Sequence, residues 1–224
     1  MEIRFLGLIP YEEARAMQEQ LVRELAEDKS KECVLILEHP SVITVGPRTK
    51  SSDIPAAISL NGNGGHNRLD GIPVVKVDRG GGATYHGPGQ LIVYPIISLK
   101  ARQLGVRAFV SRGLQVLSRV AIQCGVVVEP SLSPAGLWVG SRGVGNMAEA
   151  PRKIGAVGLR ISQGITNHGF SFNVSPDLTV FNGFVSCSLA GVQPTSLVAE
   201  GGYPRDIDSV KKRLAAEFKD EFCR

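Results

Sequence analysis

The chain has 224 residues, 43% of them hydrophobic, and a formal net charge of +4. That length can bury a sizeable core, and no uncharged run approaches the roughly 18–20 residues of a membrane-spanning helix, so no membrane partner is expected. The mild positive charge allows an acidic macromolecular partner, but no Lys/Arg run is dense enough to propose nucleic acid.

The opening "MEIRFLGLIPYEEARAMQEQ" has acids at once and no apolar segment behind a basic one, which is not the pattern of a secretory signal. A bacterial cytoplasmic home is the simplest expectation; a mitochondrial or other organellar protein without its targeting segment is the alternative. The four cysteines, Cys33, Cys124, Cys187 and Cys223, form no CxxC or Cys/His spacing. Neither a disulfide framework nor a metal site is expected.

In chain order, Pro10 followed by Glu12 and Glu13 marks a helix start. Ala14, Met17, Leu21 and Leu25 continue it as one apolar stripe toward Lys29. "CVLILE" (33–38) reads as a buried strand, His39-Pro40 as a turn, and "SVITVG" (41–46) as a second strand. Residues 47–71 carry little periodicity, and "NGNGGHNR" within them, with His66, predicts a mobile surface loop. "PVVKVD" (73–78) and "QLIVYPI" (90–96) are strands on either side of a glycine-rich stretch. Phe109, Val110, Leu114, Leu117, Ala121 and Cys124 repeat at helical spacing, with Gly125 at the C-terminal cap position. "VVVE" (126–129), ended by Pro130, and "GLWVG" (136–140) predict short strands, and 141–152 a loop. "KIGAVGLRI" (153–161) and "ITNHGFSFNV" (165–174) predict a hairpin around Ser162-Gln163-Gly164. "IDSVKKRLAAEF" (207–218) predicts a terminal amphipathic helix. Grouped strands with about three helices are not regular βαβ alternation. They predict one α+β domain over residues 1–224, with a mixed or antiparallel sheet and helices packed on it.

The stretch "DRGGGATYHGPGQLIVYP" (78–95) is the densest candidate for chemistry. A phosphate loop needs Lys-Ser/Thr after its last glycine, and here Gly89 precedes Gln90-Leu91. A dinucleotide fingerprint should open a helix, whereas this stretch runs into a β-like segment. Arg79, Thr84, Tyr85, His86 and Gln90 are too many specific polar groups for an inert turn, so a substrate-binding loop is favoured. Among the cysteines, Cys33 and Cys124 lie in apolar surroundings and Cys223 near the chain end. Only Cys187, in "FVSCSLAG", sits in a polar loop, where a reactive and an incidental thiol are about equally expected. A thiol nucleophile needs a neighbouring base or cation. The candidates are Lys153, whose bland reading is a strand-end lysine facing water; His86; and His168, whose bland reading is a core histidine.

Taken together, "LEHPSVITVG", "RGGGATYHGPGQLIVYP", "KIGAVGLRI", "NHGFSFNVSPDL" and "SCSLAGVQPTSL" resemble, over nearly the whole chain, the lipoate–protein ligase B family. These are the octanoyl-[acyl-carrier-protein]:protein N-octanoyltransferases. The pattern Arg-Gly-Gly-x-x-Thr-aromatic-His-Gly-Pro-Gly-Gln is met at every position, and the blocks come in family order. The resemblance implies a biotin/lipoate-ligase-like α+β fold. It also implies transfer of octanoyl from octanoyl-acyl carrier protein to a lysine of a lipoyl domain, with no cofactor. The acceptors would be the lipoyl domains of 2-oxoacid dehydrogenases and the glycine cleavage H protein, and the enzyme a monomer. By the same resemblance Cys187 carries the acyl group and Lys153 activates it. The substrate-binding positions are Arg79, Gly80, Gly81, Gly82, Ala83, Thr84, Tyr85, His86, Ala156, Val157, Gly158, Gly169, Phe170 and Ser171. Val157, Phe170 and the small residues 81–83 are expected as walls of the acyl slot, and backbone N–H groups of the glycine or Cys187 loop as oxyanion donors. The family's Pro-Cys-Gly is here Ser186-Cys187-Ser188, which alters the backbone options of that loop. The loop 141–152 is longer than the family pattern leads one to expect. The alternatives are an ATP-dependent lipoate or biotin ligase on the same fold and a non-catalytic acyl-carrier-binding module.

Overall fold

The computed structural model describes residues 1–56, 58, 68–140, 151–186, 191–204 and 206–223. Cys187, residues 61–67 of the expected glycine/asparagine loop and residues 141–150 of the later loop lie outside the described residues. Among the described residues the strands are β1 (Glu2–Leu8), β2 (Cys33–Glu38), β3 (Val42–Val45), β4 (Arg68–Leu69), β5 (Ile72–Lys76), β6 (Ala83–His86), β7 (Gln90–Ile96), β8 (Glu129–Leu132), β9 (Ala135–Val139), β10 (Arg152–Ser162), β11 (Ile165–Asn173) and β12 (Gln193–Pro194). The helices are α1 (Tyr11–Ala26), α2 (Val106–Gln123) and α3 (Ile207–Phe222).

A large sheet runs in the order β1-β2-β7-β11-β10-β9-β8, with β12 added beside the start of β10. A smaller sheet runs β4-β5-β3-β6. The pairs β1/β2, β3/β5 and β10/β12 are parallel and the remaining pairs antiparallel, so the sheets are mixed as expected. The unbroken apolar runs of β2 and β7 follow from burial on both faces. Cys33, Leu35, Leu37, Ile92, Tyr94 and Ile96 pack beneath α1 with Ala14 and Leu21. Their alternates Val34, Ile36, Leu91 and Val93 pack against Phe109, Leu117, Val210 and Phe218 of α2 and α3. A side-chain period of two, read on two covered faces, confines the charged and amide side chains, Glu38 and Gln90, to the strand ends.

Local signals end these elements. Gly125, at φ +82, follows the α2 cap. Gln163 (φ 53) and Gly164 (φ 78) form the two-residue turn of the β10–β11 hairpin, left-handed at both positions. Asp206 caps α3, its side chain accepting from the Ser209 amide at 2.8 Å.

Two expectations are corrected, and one strand is added where the sequence assigned no element. The strand expected at 126–129 lies instead at Glu129–Leu132 and includes Pro130. β8 is the outer strand of the large sheet, where a missing N–H leaves no ladder bond unmade. The N-terminal residues form β1, pairing in parallel with β2 through an irregularity at Gly7 (φ +66). The glycine stretch is not wholly loop: Ala83–His86 is a strand paired with β3.

Candidate active site

β6 explains the first part of the site. Ala83 and Tyr85 face the core of the small sheet, with Ile43, Val45, Ile54 and Phe181. Their alternates Thr84 and His86 face a cavity of about 510 Å³ between the small sheet and β7, β10 and β11 of the large one. Strand alternation therefore divides the expected binding stretch. Arg79, Gly80, Gly81, Gly82, Thr84 and His86 line the cavity, whereas Ala83 and Tyr85 support it from behind. The other expected binding residues, Ala156, Val157, Gly158, Gly169, Phe170 and Ser171, all line it too, together with Lys153. Its volume falls within the range of small-molecule sites.

The apolar wall comes from Ile92, Val157, Phe170 and Leu132. Phe170 is anchored behind the wall against Phe109 and Phe218. The charged contribution is one-signed: Arg48, Lys50, Arg79 and Lys153 line the cavity, and no carboxylate is among its described lining residues.

Arg79 is buried. Its guanidinium donates to the Thr44 carbonyl at 2.9 Å and twice to Thr44 Oγ1, at 2.7 and 3.1 Å. This holds the start of the glycine loop on β3. Gly158 lets the arginine pass: a Cβ there would meet Arg79 Cδ at 3.1 Å and the Gly80 carbonyl at 2.9 Å.

Lys153 is held by residues the sequence did not mark. Its Nζ lies 5.2 Å from the ring centroid of Trp138, a cation–π contact with a buried indole. Its stem crosses Gly136, where a Cβ would sit 2.6 Å from Lys153 Cε. The lysine is therefore no strand-end cation turned to water. It lines both the main cavity and a small neighbouring one of about 30 Å³, whose wall includes Gln90, Asn173, Ser171 and Ser186. Ser186 is the described residue next to Cys187 in the chain.

Two neutral histidines, His86 and His168, line the cavity, and His39 stacks edge-on to His86. His39, expected in a turn, is fully buried. Its Nδ1–H donates to the Ile9 carbonyl at 2.8 Å, so Nε2 accepts from the Tyr94 hydroxyl at 2.9 Å. Burial pushes its pKa down to about 4, opposed by the Ile9 bond. His168 is also buried, in a left-handed backbone conformation at φ 56, and Nε2 lies 3.1 Å from Asp78, which pairs in turn with Arg160. Burial, then the nearby Arg79, Arg15 and Arg160 charges, push it down to about 4. His86 lies well below the ordinary imidazole range through burial and the neighbouring His39 and Arg79. The core-histidine reading of His168 is half right: it is buried, and it also lines the cavity.

The sequence carried no mark on Thr44, Tyr94, Trp138 or Asn173; each acts through a partner distant in the chain. Arg48 and Lys50 had a faint one, as cations just beyond the "VITVG" strand.

A profile of the lipoyl protein ligase A/B catalytic domain matches residues 10–219. An octanoyltransferase of Mycobacterium sp. (strain KMS) is 39% identical over 220 residues, covering 98% of this chain and 84% of that protein. An octanoyltransferase of Desulfotalea psychrophila (strain LSv54 / DSM 12343) is 36% identical over 218 residues, covering 97% and 92%. The crystal structure of P. falciparum LipL1 in complex with lipoate shares the fold, with a TM-score of 0.71 at 10% identity. The match covers 99% of this chain and 62% of LipL1. The chain thus belongs to the lipoyl protein ligase A/B catalytic-domain family, among its octanoyltransferases.

Proposed function

We propose that this acyltransferase moves an octanoyl group from the thioester of an acyl carrier protein to a lysine of a lipoyl domain, by way of an acyl-Cys187 intermediate. Residues 1–224 would act as one catalytic domain, and a monomer suffices for this chemistry. The observation that supports the reading most is the placement of Lys153. The indole of Trp138 and the bare face of Gly136 hold it where the main cavity meets a small one bounded by Ser186.

The chemistry explains why a cysteine helps. A free lysine is mostly protonated near neutrality, and a free thiol largely so. A cation beside the thiol favours the thiolate, the attacking species. In the first step the Cys187 sulfur attacks the octanoyl carbonyl, and the carrier's thiolate leaves. In the second, the lysine amine of the lipoyl domain attacks the new thioester and Cys187 leaves. Lys153 favours the thiolate in the first step and relays the amine's proton in the second. The tail lies along Val157, Phe170 and Ile92, each buried methylene contributing roughly 0.8 kcal/mol. Arg79 and His86 fix the glycine loop across from it. Arg48, Lys50 and Arg79 give the cavity a positive lining, which suits an acidic carrier as donor.

The test is a transfer assay with purified octanoyl–carrier protein and an unmodified lipoyl domain in the absence of ATP. Octanoylation of the domain supports the reading. A requirement for ATP and free octanoate, with no use of the thioester, contradicts it and favours a ligase.

A further inference from the structure

The glycine loop and the turn after β3 bring two arginines together at the cavity. Arg48, Lys50 and Arg79 line it beside Gly80, Gly81 and Gly82. Backbone bonds fasten the turn to the loop: the Gly46 amide donates to the Gly82 carbonyl at 3.4 Å, and the Arg48 amide to the Gly81 carbonyl at 3.2 Å. On its other side the loop is fastened to β10, the Gly80 amide donating to the Leu159 carbonyl at 2.9 Å. Arg79 is buried and held by Thr44, whereas Arg48 and Lys50 are exposed and so stand at the mouth of the cavity.

The space over Gly81 is bordered by guanidinium nitrogens. A Cβ there would lie 3.2 Å from Arg79 Nη1 and 4.0 Å from Arg48 Nη2, and beyond the adjoining residues no other described atom comes within 4 Å. Two like charges therefore converge on one point, in a cavity with no carboxylate among its described lining residues. Gly81 sits at φ +109, which side chains rarely adopt, so glycine both allows the bend and leaves that point bare. Among the described residues neither the Gly81 nor the Gly82 N–H donates to any oxygen, although Gly82 is buried. Buried N–H groups are almost always paired. Successive loop amides beside guanidinium groups make an anion-binding concavity, and here it arises without the Lys-Ser/Thr or the following helix of the common phosphate motifs.

The donor's chemistry selects the anion. An acyl carrier protein presents its thioester on a phosphopantetheine arm, whose phosphate diester lies at a fixed reach from the sulfur. Extended, that reach is about 16 Å, at about 1.3 Å per bond. Arg79 passes over Gly158 of β10, where a Cβ would meet its Cδ at 3.1 Å. From Gly158 back to Lys153 the strand advances about 16 Å at about 3.3 Å per residue, and somewhat less across the irregularity near Lys153. The arginine pair and the lysine thus stand about one arm's length apart along the same cavity.

We propose that Arg48, Arg79 and the Gly81 and Gly82 amides form a phosphate site for the prosthetic arm of the donor, with Lys50 at its rim. The proposal rests on the carrier-thioester reading and gives the donor a point of recognition separate from its acyl chain.

The test uses octanoyl-4′-phosphopantetheine and octanoyl-pantetheine, which differ only in the phosphate, with an unmodified lipoyl domain and no ATP. The expected result is a kcat/KM about tenfold higher for the phosphorylated donor, the worth of one hydrogen bond between charged groups. In Arg48→Gln the ratio of the two values should fall toward one, and inorganic phosphate, a competitor of the phosphorylated donor in the parent, should lose its effect. Equal use of the two donors by the parent overturns the proposal, as does a ratio that Arg48→Gln leaves unchanged. A ratio lowered as far by Lys29→Gln, an exposed cation outside the cavity lining, would mark diffuse charge attraction and also overturns it. Transfer from neither donor without ATP overturns the carrier-thioester reading, and the proposal with it; transfer from both at equal efficiency overturns the phosphate site alone.

Discussion

Gly136→Ala is the sharpest test of how Lys153 is held. In an ordinary strand this substitution favours the fold, because glycine loses more backbone freedom on folding, but Gly136 sits at φ +157, where alanine is strained. Here the added methyl would stand 2.6 Å from Lys153 Cε and 3.3 Å from Nζ. Carbon–carbon contacts settle near 3.5 Å, so the lysine stem must move by about 0.9 Å. The Gly155 carbonyl, 2.9 Å from the same methyl, blocks relief by a small backbone shift. A displacement near 1 Å at a reacting group costs about 10²-fold in rate. We therefore expect kcat for octanoyl transfer to fall about 10²-fold, with Lys153→Ala as the ceiling on the loss. The KM for the octanoyl donor should change little, because the cavity walls at Val157 and Phe170 are untouched. The rate of Cys187 alkylation against pH should shift to higher pH in both variants if Lys153 favours the thiolate as proposed. Single-turnover transfer and the alkylation profile read the two effects separately. Parent-level activity with an unshifted profile in Gly136→Ala would refute the claim that the position of Lys153 matters.

Two further predictions concern stability. Gly113 lies within α2, where alanine usually gains about 1 kcal/mol, but its Cβ would fall 2.1 Å from Phe170 Cζ. Overpacking of about 1–3 kcal/mol outweighs the gain, so Gly113→Ala should lower Tm by a few degrees; a raised Tm would contradict the seating of Phe170 against α2. The buried histidines make stability depend on pH. His39 and His168 are held near 4 by burial, below the unfolded value of about 6.5, and His86 is lowered in the same sense. Their neutral state contributes fully above about pH 6.5 and is lost as pH falls toward 4, because only the unfolded chain takes the protons. At pH 5 the loss is about 2 kcal/mol for each of His39 and His168. Urea unfolding between pH 7.5 and 4.5 should show this decline, and a flat profile would contradict the neutral assignment.

Where neighbours in sequence are neighbours in space, the fold was legible. "QLIVYPI" coincides with β7, Gly125 follows the α2 cap, and Gln163-Gly164 turns the hairpin. β6 was hidden because its polar members, Thr84 and His86, face a cavity while glycines flank it, so its alternation read as a loop. β8 was displaced because proline argues against strand unless the strand's outer position is known, and that is a tertiary fact. His39 looked like a turn residue beside Pro40. Its partners Ile9 and Tyr94 lie 30 and 55 residues away, and no local signal announces them. The glycine stretch pointed to the cavity but could not say which of its side chains enter. Nothing in "GLWVG" suggested that its glycine and tryptophan would seat a lysine from the next strand.

The proposed reaction turns on the thiol at position 187. Intact-mass measurement after incubation with octanoyl–carrier protein, followed by peptide mapping, tests it most directly. The expected result is a gain of one octanoyl group on Cys187, absent in Cys187→Ser and discharged on addition of a lipoyl domain. Transfer to the lipoyl domain by Cys187→Ser, or an adduct mapped to any other residue, would contradict it.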